Sequence, residues 1–104
     1  MSEYIPDTWV VLEFESEHGK IQKVLSGWSG GYLDGDSWKL SSGITETEET
    51  DTEYIFTNYS GSVYHCRKSS REFNMMTSGV YNSYKEQLEG HETATMKIVD
   101  FERE

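Results

Sequence analysis

Residues 7–15 read DTWVVLEFE, and the layout of the whole chain follows from how this stretch is read. Successive side chains of a strand point to opposite faces. Val10, Leu12 and Phe14 therefore share one face, and Trp9, Val11, Glu13 and Glu15 the other, which predicts a first strand. The following Ser16-Glu17-His18-Gly19 carries turn chemistry. Lys20 to Ser26 resumes with Ile21, Val24 and Leu25, so the two runs predict a hairpin.

Beyond the hairpin, four glycines fall among the nine residues 27–35, which predicts a sharp bend or a close approach of the backbone to something else. Ser37 to Ile44 alternates again, through Trp38, Leu40, Ser42 and Ile44, and predicts a third strand running on toward Thr47. Glu46, Glu48, Glu49, Asp51 and Glu53 then crowd together, and their mutual repulsion predicts a solvated hairpin end. Tyr54–Thr57 and Val63–Cys66 are β-rich runs around the turn Asn58-Tyr59-Ser60-Gly61, so strands three to five should form a meander. Val80, Tyr81, Tyr84 and Leu88 recur at helical spacing, with Thr77 or Ser78 as the cap and Gly90 as the stop. Alternation returns from Thr93 to Phe101 as a closing strand. The fold class predicted is α+β. It is a curved antiparallel sheet or small barrel of about six strands with one helix in the C-terminal half, in the order β5-α-β.

At 104 residues the chain has the length of one domain. No apolar run approaches the ~18 residues that a membrane helix needs, and the first residues lack a basic start and an apolar stretch, which together predict a cytoplasmic protein. A lone Cys66 excludes an internal disulfide. Nineteen acidic against nine basic side chains give a net charge of −10, which opposes direct binding to nucleic acid or an anionic membrane and leaves basic proteins as candidate partners. Aromatic residues make up 13% of the chain, too many for a disordered acidic tail.

Reactive groups are not legibly paired. His65 and Cys66 are strand neighbours and so face opposite ways, and His18, His65 and His91 lack metal-ligand spacing. Asp34-Gly35-Asp36 begins like a calcium loop, but Trp38 and Thr45 occupy the fifth and twelfth positions. The glycines fit neither the phosphate-loop nor the dinucleotide spacing, and no cofactor or catalytic residue is predicted. What stands out is a binding set, with Trp28, Tyr32 and Trp38 to stack on a base and Asp36, Ser37, Ser62 and Tyr64 to bond it. Ser29, Ser41, Ser42 and Ser60 add hydroxyls, while Arg67, Lys68 and Arg71 could clamp phosphate. The competing explanation is that the aromatics fill the core and the cations pair with the surplus acids.

The phrases DTWVVLEF, GWSGGYLDGDSWKLSSGI and SGSVYHCRKSS resemble a group of small, largely uncharacterised proteins of tailed phages and prophages. The resemblance is carried by Trp28, Gly30, Gly31, Tyr32 and Gly35 to Lys39, then by Ser60 to Tyr64, Cys66 and Lys68. It departs from the group after Lys68, where this chain has Ser70-Arg71-Glu72-Phe73. A phage origin implies a small protein that counters host defence in the host cytosol. Two forms of that role are open, neither of them enzymatic. One is a sponge that sequesters a nucleotide-like small molecule or signal through Trp28, Tyr32, Asp36, Ser37, Trp38, Ser62, Tyr64, Arg67 and Lys68. The other is an acidic inhibitor whose Glu46, Glu48, Glu49, Asp51 and Glu53 mimic nucleic acid toward a basic host protein of restriction, transcription or CRISPR defence. Exposed sheet edges make a homo-oligomer an additional expectation.

Overall fold

In a computed structural model the chain folds as two four-stranded sheets and one long helix, with residues 2–31, 35–90 and 93–101 described. Tyr32, Asp34 and His91 lie outside the described residues, as do the side chains of Ser29 and Asp36. The elements in chain order are β1 (Glu3–Tyr4), β2 (Thr8–Ser16), β3 (Gly19–Gly31), β4 (Gly35–Leu40), β5 (Ile44–Glu49), β6 (Glu53–Asn58) and β7 (Val63–Arg67). A short 3-10 turn (Lys68–Ser70), helix α1 (Met75–Leu88) and β8 (Thr95–Ile98) complete it. One sheet has the order β4-β3-β2-β8 and the other β1-β7-β6-β5.

Strand β2 explains this arrangement. Trp9, Val10, Val11 and Leu12 are all buried, so the strand has an apolar environment on both faces. Trp9 and Val11, with Val24 of β3, pack against Phe56, Tyr64 and Cys66 of the facing sheet. Val10 and Leu12, with Leu25, pack on the other side against Val80 and Tyr81 of α1 and against Phe73 and Met96. The result is three layers, with helix, sheet and sheet stacked in that order. The buried Trp9 indole donates its Nε1 hydrogen to the Arg67 carbonyl at 2.6 Å, which satisfies the ring and ties the sheets together. Glu13, on the sheet-facing side of β2, is only 9% exposed. A hydrogen bond from Gln22 holds its carboxyl below the ordinary range against the opposing effect of burial, with Lys97 and Lys20 assisting.

The α+β class agrees with the sequence; the six-strand curved sheet or barrel does not. Among the described residues eight strands form two open sheets, and β1 pairs with β7 in parallel rather than antiparallel fashion. The third strand predicted over Ser37–Ile44 is two strands, because Ser41-Ser42-Gly43 carries the chain from one sheet to the other. Only β5, β6 and β7 therefore form the meander. The acidic stretch is the exposed end of the β5–β6 hairpin, with Glu46, Glu48 and Glu49 on the edge strand β5, the turn at residues 50–52 and Glu53 opening β6. Helix α1 starts before the predicted cap. Asn74 is the N-cap, its side chain accepts from the Thr77 amide at 2.8 Å, and the Thr77 hydroxyl closes a capping box by accepting from the Asn74 amide at 2.9 Å.

Gly27 sits beneath this cap. A Cβ there would lie 2.5 Å from Asn74 Nδ2 and 2.9 Å from Thr8 Oγ1, whereas one on Gly79, in the exposed run of α1, would meet nothing within 4 Å. The same substitution should therefore act in opposite directions. In urea denaturation Gly27→Ala is expected to destabilise the fold by about 1–3 kcal/mol. Gly79→Ala is expected to stabilise it by roughly 0.5–1 kcal/mol.

Candidate functional site

The crossover between the sheets builds a recess. As the chain leaves β4, the Ser41 amide still donates to the Val24 carbonyl at 2.9 Å, and the Ser41 hydroxyl replaces the next strand bond by accepting from the Val24 amide at 2.8 Å. That hydroxyl donates onward to the Ser42 carbonyl at 2.6 Å. The crossover is then docked on the β6–β7 turn, where the Tyr59 amide donates to the Gly43 carbonyl at 2.7 Å and the Ser60 amide to the Ser42 hydroxyl at 3.1 Å. The turn itself closes through Gly61, whose φ of 94° is one that glycine adopts readily.

Between crossover and turn lies a cavity of about 380 Å3. Ser41, Ser42, Ser60 and Ser62 line one side, Lys39 and Leu40 come from β4, and Ser2, Tyr4 and Tyr64 complete the wall. The hydroxyls form a chain. Ser42 donates to Ser60 at 3.0 Å, Ser60 and Ser62 share a hydrogen at 3.2 Å, and Asn58 Nδ2 donates to Ser62 Oγ at 3.1 Å. Tyr4 stacks on Tyr64 with ring centroids 4.8 Å apart, and the Lys39 ammonium lies 5.6 Å from the Tyr4 centroid. Trp28 tilts against Tyr4 at 6.1 Å and donates its indole hydrogen to the Ile5 carbonyl at 3.0 Å.

Tyr64 is fully buried, and its hydroxyl has no hydrogen-bond partner among the described residues. Burial first, then neighbouring Tyr4 and Cys66, push its pKa up to about 12, so at neutral pH the phenol keeps its proton and is a donor. Ser26 Oγ and Asn58 Oδ1 are likewise buried and unpartnered. Ser26 is the cross-strand neighbour of Lys39.

The binding set read from the sequence does not assemble in one place. Ser62 and Tyr64 line the recess and half-buried Trp28 flanks it. Trp38 pairs with Gly27, one position out of phase with Trp28, so the two indoles belong to opposite faces of their sheet. Ser37 is exposed beside Trp28 in register. Arg67 alternates with Tyr64 and Cys66 and projects from the outer face of β7, exposed. Lys68 is bonded to Glu49 at 2.6 Å, which raises its pKa, and lies 5.2 Å from the Tyr54 centroid. Arg71 approaches Asp100 at 3.5 Å. Tyr4 and Lys39 were not singled out as site residues; the alternation that puts Trp38 on one face puts Lys39 on the other, toward the recess.

Of the acidic set, Glu46 and Glu48 lie beside Ile55 and Thr57 in a shallow outer hollow, Glu49 holds Lys68, and Glu53 lies 3.9 Å from His65. His65 also contacts Glu3 at 3.1 Å on that outer face, while Cys66 points inward, its thiol pKa raised by burial. The recess hydroxyls thus bond to each other, to Asn58 and to backbone, and among the described residues no imidazole lines the recess. No three His, Cys, Asp or Glu side chains converge as a metal site among the described residues. No described helix is long and apolar enough to cross a membrane. Compared with known proteins, the chain matches no family model, no curated protein and no solved structure.

An unpartnered buried hydroxyl costs stability, on the order of 1–3 kcal/mol. Tyr64→Phe removes only that oxygen. It is expected to leave the unliganded protein equally stable or more stable by about 1 kcal/mol in urea denaturation, whereas a loss beyond that size would assign the hydroxyl a structural partner.

Proposed function

We propose that this chain is a small, non-catalytic binding protein that takes a nucleotide-like small molecule into the recess between its two sheets. The single observation that carries this reading is Tyr64, which lines a cavity large enough for a small ligand and whose buried hydroxyl has no partner among the described residues. Serine hydroxyls suit ribose and phosphate oxygens, Lys39 supplies the cation, and Tyr4 with Trp28 supplies aromatic surface for a base once the Lys39 stem moves aside. The resemblance to phage proteins supports a setting in the host cytosol, where withdrawing a nucleotide signal would blunt a defence response. Such a sponge needs affinity and no turnover. In this reading Trp28, Ser62 and Tyr64 keep their roles as ligand contacts, and Tyr4, Lys39, Ser42 and Ser60 join them in place of Trp38, Arg67 and Lys68.

The acidic-inhibitor reading has weaker support. Glu46 and Glu48 stand on an exposed edge strand, where charge also serves to prevent pairing with another chain, and Glu49 and Glu53 already face Lys68 and His65.

Thermal unfolding in the presence of a panel of nucleoside mono-, di- and cyclic phosphates tests the proposal. A ligand at about a hundred times its Kd adds roughly 2.7 kcal/mol to stability, a rise in Tm of order 10 °C for a domain of this size. Trp28→Ala should diminish the rise and Trp38→Ala should leave it intact. A panel that shifts nothing would remove the proposal.

A further inference from the structure

Proton bookkeeping in the recess identifies which part of a ligand belongs there. The Ser42, Ser60 and Ser62 hydroxyls carry one proton each. Ser42 spends its proton on Ser60, and a second is shared between Ser60 and Ser62, so one of the three is left over. Each hydroxyl also has two acceptor positions, at least one of which is used where Ser42 accepts from the Ser60 amide, Ser60 from Ser42, and Ser62 from Asn58. Ser41 has spent its proton on the Ser42 carbonyl. Tyr64 contributes a second unspent proton, kept on the phenol by burial, and Lys39 is the one charged side chain on the wall among the described residues. The wall thus offers two unspent hydroxyl protons beside one ammonium.

We infer that the Lys39–Ser60–Ser62–Tyr64 corner is a subsite for a phosphate monoester, bound through its oxygens. This deepens the proposed function and rests on that reading. Phosphate oxygens accept from hydroxyl, phenol and ammonium together. The chain's net charge of −10 opposes anions in general, so a local set of donors is what an anion-selective site in such a protein requires. The Lys39 ammonium resting over Tyr4 is a replaceable contact, free to exchange the ring face for a phosphate.

Isothermal titration of the full chain with adenosine, adenosine 5′-monophosphate and ribose 5-phosphate tests this. The monophosphate should bind most tightly, ribose 5-phosphate more weakly, and adenosine weakest. Lys39→Met should weaken both phosphates by about tenfold or more and Lys39→Arg should restore them. Tyr64→Phe should weaken the phosphates without lowering stability. Equal binding of ribose 5-phosphate and the monophosphate would uphold the phosphate subsite while removing the base contact. Equal binding of adenosine and the monophosphate, or a Lys39→Met protein that binds both phosphates normally, would overturn the subsite and leave the binding role standing. Failure of all three probes would overturn both.

Discussion

Burial of strand β2 on both faces is the constraint on which the structure depends. One face of TWVVL needs a cover of its own and the other needs a second, and a chain of 104 residues meets both needs with one helix and one extra sheet. Each cover then determines something else. The helix requires a start close to β3, which Asn74 supplies above Gly27. The second sheet requires the chain to leave the first, which it does at Ser41-Ser42-Gly43.

That departure builds the recess between crossover and turn. A crossover between stacked sheets takes its backbone out of one hydrogen-bonding ladder before it enters the next, and serine side chains fill the gap. The same side chains face those of the β6–β7 turn, so the seam carries a band of hydroxyls beside an otherwise aromatic core. Tyr64 links the two environments. Its ring belongs to the core with Trp9 and Phe56, the residue also lines the recess, and its oxygen has no partner among the described residues. A core residue selected only for packing would be served as well by phenylalanine.

Much of this was legible in the sequence. The β2–β3 hairpin, the β6–β7 turn with its Asn and Gly, and the apolar stripe of Val80, Tyr81, Tyr84 and Leu88 all came from local periodicity and turn chemistry. The second sheet was not read. Alternation assigned Trp9 and Val11 to the face that also carries Glu13 and Glu15, and the unbroken apolar run from Trp9 to Leu12 is the signal that both faces are covered. The strand over Ser37–Ile44 kept a perfect alternation through its break, because Ser42 and Ile44 fall in phase by coincidence of spacing. Site residues suffered from the same limit. Trp28 and Trp38 are close in sequence, yet pairing places them on opposite faces, and Arg67 and Lys68 lie on the outer side of β7 and beyond its end. Long-range register, not residue type, decides which hydroxyls meet.

The account stands or falls on the location of the ligand, and amide chemical-shift mapping reads that location directly. With the backbone assigned, titration with adenosine 5′-monophosphate should move the amides of Lys39, Ser42, Ser60, Ser62 and Tyr64 together and leave those of Trp38, Arg67 and Glu46–Glu49 in place. Shifts gathered on Trp38 and the start of α1, or along the acidic edge, would contradict it.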